Sequence, residues 1–311
     1  MSIIYLLLGL ALLVAGGNWL LKAAVALSLR FHIPKIVIGM TVVSFITSAP
    51  ELIVSIKAAI DGFPDIALGN VVGSNIANLG LVLAIVILVA PIIVERSFYK
   101  VDWPVMMAAS VLLYLFIAFD ATLQRYEGFI LFFLLILFLI YLLKFQKPAV
   151  VGDLSEDDVP LSVSKTSLFL VLGGVALWGG SELLIMGVVE LATLFGVSER
   201  VIAVTLVSVG TSIPELAASL VAITKREKSI SLGNLIGSNM FNILAVLGLT
   251  SIITPITVQD RQLLTHDIYW MLGISFLILP LVFFPKGLRL GWRDGLILLA
   301  LYAVFVYLTF T

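Results

Sequence analysis

Apolar stretches about twenty residues long recur from one end of the chain to the other. They fall roughly at 3–27, 35–59, 66–93, 103–119, 126–144, 166–191, 199–223, 230–256, 268–284 and 291–310. About twenty apolar residues in a helix cross the hydrocarbon core of a bilayer. The pattern predicts an all-α polytopic membrane protein of ten transmembrane helices. Five lie on each side of the one sizeable polar loop, which holds Asp153, Glu156, Asp157 and Asp158. The first stretch has no Lys or Arg before Lys22 and is too long for the apolar part of a cleaved leader, so it reads as the first span.

Composition agrees with that pattern. Hydrophobic residues make up 61 % and charged residues 12 % of the chain, where a soluble domain carries about 25 % charged residues. No separate soluble domain is expected. The net charge of −1 gives no reason to expect a nucleic-acid partner, and no protein partner is implied. The absence of cysteine excludes disulfides, thiolate metal sites and cysteine nucleophiles. The basic residues are distributed unevenly. With the N-terminus outside, fourteen Lys and Arg fall at cytoplasmic ends and loops and four at outer ones. Cytoplasmic loops attract basic residues, so both termini should be extracellular and the acidic loop cytoplasmic. The expected setting is a prokaryotic plasma membrane.

Sliding the chain by 164 residues aligns 20–94 with 184–258, with about 29 identities over 75 positions. Thr47-Ser48-x-Pro50-Glu51-Leu52 returns as Thr211-Ser212-x-Pro214-Glu215-Leu216. Gly69-Asn70-x-x-Gly73-Ser74-Asn75-x-x-Asn78 returns as Gly233-Asn234-x-x-Gly237-Ser238-Asn239-x-x-Asn242. Five spans is an odd number, so the second copy must cross the membrane in the opposite sense. The expected division is a first five-helix repeat at 1–146, a cytoplasmic linker at 147–165 and a second, inverted five-helix repeat at 166–311. Inverted repeats of this kind build many secondary transporters, with the ion site at the repeat interface.

Glu51 and Glu215 lie well inside apolar spans, where a carboxylate is costly and marks a functional site. Brought together, two carboxylates repel unless a cation stands between them. With no cysteine and no histidine inside a span, the available ligands are hard oxygens, which suit sodium, calcium or magnesium. Pro50 and Pro214 interrupt their helices and should free the carbonyls of Ile46 and Gly210 for a cation. Thr47 lies four residues before Glu51 and Thr211 four before Glu215, each pair on one helix face. Asn70, Ser74 and Asn78 form a polar stripe at the same spacing, as do Asn234, Ser238 and Asn242. Gly69, Gly73, Gly233 and Gly237 should allow helices to approach closely. Asn70, Asn75, Asn234 and Asn239 read equally well as ligands or as bonds between helices.

These motifs resemble the two alpha-repeats of the calcium/cation antiporter superfamily, and within it the sodium/calcium exchanger-like members. The resemblance covers essentially the whole chain. It implies secondary active exchange of Na+ for Ca2+ by alternating access, with no cofactor beyond the transported ions. It also implies four adjacent cation positions at the second, third, seventh and eighth helices. The carboxylates of Glu51 and Glu215, with backbone oxygens of Thr47 and Thr211, would hold calcium. Ser208 carbonyl, Thr211, Ser212, Ser238 and Glu215 would hold one sodium ion; Ser44 carbonyl, Thr47, Ser48, Ser74 and Glu51 would hold another. Asn78 and Asn242 would flank the middle. The first and sixth helices would slide across this core. The chain departs from the family pattern at Ile46, where the first motif usually has glycine, and at Asn242, where some relatives carry aspartate.

A proton-driven calcium (or other divalent cation) antiporter using the same two glutamates is the nearest alternative. A channel would need a pore that a two-fold repeat does not suggest. An intramembrane enzyme would need a nucleophile or acid pair, and no Gly-x-Ser-x-Gly motif is present. Five tryptophans near span ends read as an interfacial belt. His32 and His266, at helix ends, read as ordinary surface histidines.

Overall fold

A computed structural model describes residues 2–145, 161–194, 209–285 and 287–310. Among these, α1 (Ser2–Phe31), α4 (Pro64–Val89), α5 (Phe98–Asp120), α6 (Arg125–Phe145), α7 (Val163–Leu194), α9 (Lys228–Ile253), α10 (Leu263–Phe283) and α11 (Trp292–Phe310) are long and apolar enough to cross a membrane. Helices α2 (Lys35–Thr47) and α3 (Ala49–Ile60), separated at Ser48, are together long and apolar enough for one span. Of the span expected at 199–223, α8 (Ile213–Thr224) belongs to the described residues and 199–208 lie outside them. So does most of the 147–165 linker.

Several of these helices contain a wider π-helical turn. Asn78–Val82 in α4 matches Asn242–Leu247 in α9, and Phe98–Asp102 in α5 matches Leu263–Asp267 in α10. A π turn leaves part of the i→i−4 ladder unmade and often marks a functional place. Hydropathy periodicity does not register such turns, so the sequence predicted plain helices there. Helices α4 and α9 are the most enclosed, buried over 78 % and 83 % of their apolar windows against 28 % for α1. The outer helices leave large apolar side chains such as Phe129, Phe133 and Val171 exposed, as a lipid-facing surface requires.

The chain forms two compact units. The first comprises Met1–Thr47 and Tyr141–Asn234. In it α1 and α7 pack backbone to backbone along glycines seven residues apart. A methyl added at Gly16 would stand 2.8 Å from the Leu177 nitrogen, and one at Gly180 would stand 2.9 Å from the Leu13 nitrogen. Lipid supplies little hydrophobic drive between helices, so close backbone approach carries the association. Leu20, Leu21, Ile38, Leu177, Val221 and Ile230 fill the core beside this pair.

The second unit comprises Ser48–Ile140 and Leu235–Thr311. Helix α11 packs on the C-terminal part of α4, with Gly295 close against the Ala84 carbonyl. Four two-residue strands close the ends of its helices: β1 (Ile92–Ile93), β2 (Thr122–Leu123), β3 (Ile256–Thr257) and β4 (Arg289–Leu290). β1 pairs antiparallel with β4, and β2 with β3. Each ladder joins one repeat to the other.

The turn after α3 and the turn after α8 have the same left-handed geometry. Gly62 has φ +86° and Arg226 has φ +66°, and the bonds Phe63 N–H to Ala58 O and Glu227 N–H to Ala222 O are both 2.8 Å. Glycine adopts this conformation freely, whereas arginine does so at a cost of about 1 kcal/mol. Arg226→Gly is therefore expected to raise the thermal midpoint in detergent. A lower midpoint would show that the arginine side chain supplies more than its backbone costs.

Candidate cation site

Both glutamates stand at the same local construction. α2 ends at Thr47, Ser48 takes φ −86° and ψ 5°, and α3 begins at Ala49. Ser212 takes φ −87° and ψ 1°, and α8 begins at Ile213. Pro50 and Pro214 occupy the first turn, where a missing N–H costs nothing because that position has no intrahelical acceptor. Glu51 and Glu215 are then the third residues of their helices, and both are fully buried. Ser-x-x-Glu before a helix is the pattern of a reciprocal capping box. Neither Ser48 nor Ser212 makes a side-chain capping bond. The break thus places a hydroxyl and a carboxylate at the start of an apolar helix, without using that hydroxyl as a cap.

In the first unit, α8 packs against Ser44–Thr47. The Ser44 hydroxyl donates to the Gly39 carbonyl at 2.8 Å and to the Asn234 carbonyl at 2.9 Å. Its carbonyl, expected as a sodium ligand, accepts a long 3.4 Å bond from the Thr47 hydroxyl. Thr47 also donates to Asn234 Oδ1 at 3.2 Å. The Gly210 carbonyl, expected to be free, accepts a 3.0 Å bond from the Ser181 hydroxyl of α7. A carbonyl has a second lone pair, so this bond leaves room for a cation. Ser212 is buried, whereas Thr211 is only half-buried, unlike its counterpart Thr47. Ser208 lies outside the described residues. Ile46, bulky where its repeat counterpart is Gly210, faces Gly174 of α7: a methyl added there would meet its Cγ2 at 2.9 Å. A missing side chain on the neighbouring helix thus makes room for the extra one here.

In the second unit, α3 packs against the Asn242–Leu247 turn of α9. Each unit therefore sets a glutamate helix of one repeat against polar residues of the other. Ser48, Glu51, Ser74, Asn78, Ser238 and Asn242 are all buried. The Asn242 side chain donates to Asn75 Oδ1 at 3.1 Å.

Asn70 and Asn234 tie helices together. Asn70 Nδ2 donates to the Ser55 hydroxyl at 3.0 Å and to the Glu51 carbonyl at 3.3 Å. Asn234 Nδ2 donates to the Ser219 hydroxyl at 3.1 Å. Ser55 and Ser219, both fully buried, escaped the sequence reading. Their signal was present: each is four residues after a site glutamate and identical at the repeat offset. Asn70→Leu leaves two buried acceptors without this donor, so a loss of about 1–3 kcal/mol of stability is expected, visible as a lower thermal midpoint.

Another fully buried carboxylate was also missed. Asp102 stands just before the apolar stretch at 103–119, but α5 begins at Phe98, and Asp102 is fully enclosed. His266 is likewise no ordinary surface histidine. It meets Asp267 at 2.8 Å, accepts from Trp270 Nε1 at 3.0 Å and stacks on Phe305.

Among the described residues no three Asp, Glu or His side chains converge where a metal ion could bind. A cation held here draws on neutral oxygens beside its carboxylates, which is the donor chemistry of sodium and calcium sites.

Comparisons with known proteins bear on the family and the fold. The sodium/calcium exchanger protein family matches residues 1–144 and 165–311. The protein CaxA of Alkalimonas amylolytica is 38 % identical over 99 % of this chain and 98 % of its own. The sodium/calcium exchanger MaX1 of Methanosarcina acetivorans is 32 % identical over 99 % of this chain and 98 % of its own. The structure of the sodium-calcium exchanger NCX_Mj soaked with zero Na+ and Ca2+ superposes with a TM-score of 0.83 at 29 % identity, covering 98 % of each chain. The fold is thus a ten-helix, all-α membrane fold of two inverted repeats. The family is one of transporters and not of enzymes. Twin motifs, broken helices and whole-length matches together make this chain a member of the sodium/calcium exchanger family.

Proposed function

We propose that this chain exchanges Na+ for Ca2+ by alternating access across a prokaryotic plasma membrane. Glu51 and Glu215 share the calcium ion with backbone oxygens of Thr47 and Thr211. Sodium ions take the flanking oxygens of Ser44, Thr47, Ser48 and Ser74 on one side and of Ser208, Thr211, Ser212 and Ser238 on the other. Asn78 and Asn242 line the middle. The repeats are 1–146 and 166–311, joined by a cytoplasmic linker at 147–165, and both termini are extracellular.

One observation carries this reading. The same Ser-x-Pro-Glu break occurs twice and sets a fully buried glutamate at the third position of an apolar helix. A fold gains nothing from two such carboxylates unless a cation uses them. Sodium is favoured over the proton as coupling ion by the buried hydroxyls of Ser48, Ser74, Ser212 and Ser238. Neutral oxygens coordinate sodium, whereas a proton would need only the carboxylates.

The test is calcium uptake into proteoliposomes. An outward sodium gradient at fixed pH should drive uptake, and replacing sodium with choline should stop it. Uptake driven by a pH gradient in choline would instead establish proton-coupled exchange.

A further inference from the structure

Asn75 and Asn239 occupy equivalent places in the two repeats, three residues before Asn78 and Asn242. All four are buried. Asn75 Nδ2 donates to the Asn239 carbonyl at 3.2 Å, and Asn239 Nδ2 donates to the Asn75 carbonyl at 3.3 Å. A peptide carbonyl can only accept, so this bond fixes which end of the Asn75 amide is nitrogen. The Asn75 oxygen must then point the other way, and it accepts from Asn242 Nδ2 at 3.1 Å. Asn242 is oriented in turn. Its nitrogen is committed to Asn75, and its buried Oδ1, which has no hydrogen-bond partner among the described residues, is the end left to face a ligand.

We infer that Asn75 is a positioning residue that makes Asn242 present an oxygen, and not an NH2 group, to the transported cation. This rests on the reading of Asn242 as a member of the cation site. A neutral amide has two unlike ends, and turned over it would offer donors that repel a cation. A carboxylate needs no such control because both its ends are oxygen. A chain with asparagine at this place must therefore set the amide's direction from outside, and the backbone carbonyl of Asn239, relayed through Asn75, does so. The motif alone does not produce this arrangement. In the mirror-related pair, Asn239 Oδ1 and both polar atoms of Asn78 lack hydrogen-bond partners among the described residues. Asn239 thus shares the reciprocal backbone bonds but holds no site asparagine.

Four variants assayed for calcium uptake in proteoliposomes separate positioning from packing. Asn75→Ala should raise the KM for calcium about tenfold with kcat within about threefold. Asn239→Ala removes the equivalent packing bond without touching Asn242, and its KM should stay within about twofold of the parent. In an Asn242→Asp background, adding Asn75→Ala should shift KM by no more than about twofold, because an aspartate offers oxygen in either orientation. Equal KM shifts from Asn75→Ala and Asn239→Ala, or an undiminished shift in the Asn242→Asp background, would overturn the inference. If Asn75→Ala does not fold, Asn75→Thr, which fills more of the space, serves the same comparison. Glu51→Gln separates the two levels of the argument. Undiminished flux in that variant refutes the cation site itself. Lost flux there, with an unshifted KM in the Asn75 variants, refutes only the positioning role.

Discussion

Replacing either Glu51 or Glu215 with glutamine is expected to cut calcium flux by at least about a hundredfold while the protein stays folded. Each substitution keeps the volume and removes one negative charge. On the proposed reading two carboxylates neutralise one divalent ion, and the variant would leave that ion with an uncompensated charge in a poorly polarisable surrounding. Removing one partner of a buried charge pair costs about 3–5 kcal/mol, and each 1.4 kcal/mol is about tenfold in binding. The fold should tolerate the change, since both side chains sit in the first turn of a helix that Pro50 or Pro214 helps to start. Calcium flux together with elution as a single species in detergent checks the expectation. Both variants should fail alike. A severe loss from one and normal flux from the other would mean that the two repeats do not contribute equally to one site. The paired charge of about −2 also bears on stoichiometry: one calcium ion balances it, whereas three sodium ions exceed it.

The spans, the repeat and both glutamates were legible in the sequence because each leaves a local mark. A span is a run of apolar residues, and a buried glutamate stands out within one. What the sequence did not disclose depends on contacts or on exact helix starts. Asp102 reads as a loop residue only if the helix begins at Trp103. The π turn at Phe98–Asp102 extends the helix by five residues and draws the carboxylate inside. The role of Asn70 stayed open because an amide serves equally as ligand or bridge. The nearby hydroxyl of Ser55 decides it, and that hydroxyl lies fifteen residues away along the chain. The carbonyl of Gly210 was rightly located beside a proline break, but Ser181, on another helix, bonds to it. Ile46 looked like a defect in the motif, and its accommodation by Gly174 depends on a helix more than a hundred residues away.

The glycines give the other large expected effect, because the sequence treats as equal two positions that the structure separates. Gly69 and Gly233 open the same motif in the two repeats, so both were expected to permit close helix contact. At Gly233 an added methyl would run into the Ile36 carbonyl and stand 3.1 Å from the Met40 nitrogen. Those are backbone atoms of α2, which cannot rotate aside. Gly39 makes the reciprocal approach, with an added methyl 2.5 Å from the Ile230 carbonyl and 3.1 Å from the Asn234 nitrogen. Beside this crossing lie the bonds that Ser44 and Thr47 donate to Asn234. Gly233→Ala must therefore push α2 and α9 apart and lengthen those bonds. Overpacking of this kind costs about 1–3 kcal/mol where side chains can yield, and more where only backbone can move. At Gly69 the nearest atom to an added methyl is Leu263 Cδ2 at 3.6 Å, an ordinary contact. Gly69→Ala should then keep transport and gain up to about 1 kcal/mol from the higher helix propensity of alanine. The expected result is a lower thermal midpoint and loss of calcium uptake for Gly233→Ala, against an unchanged or higher midpoint and normal uptake for Gly69→Ala. Equal damage from both would mean that the repeat holds its helices together symmetrically, and that the open space beside Gly69 closes at some stage of the transport cycle.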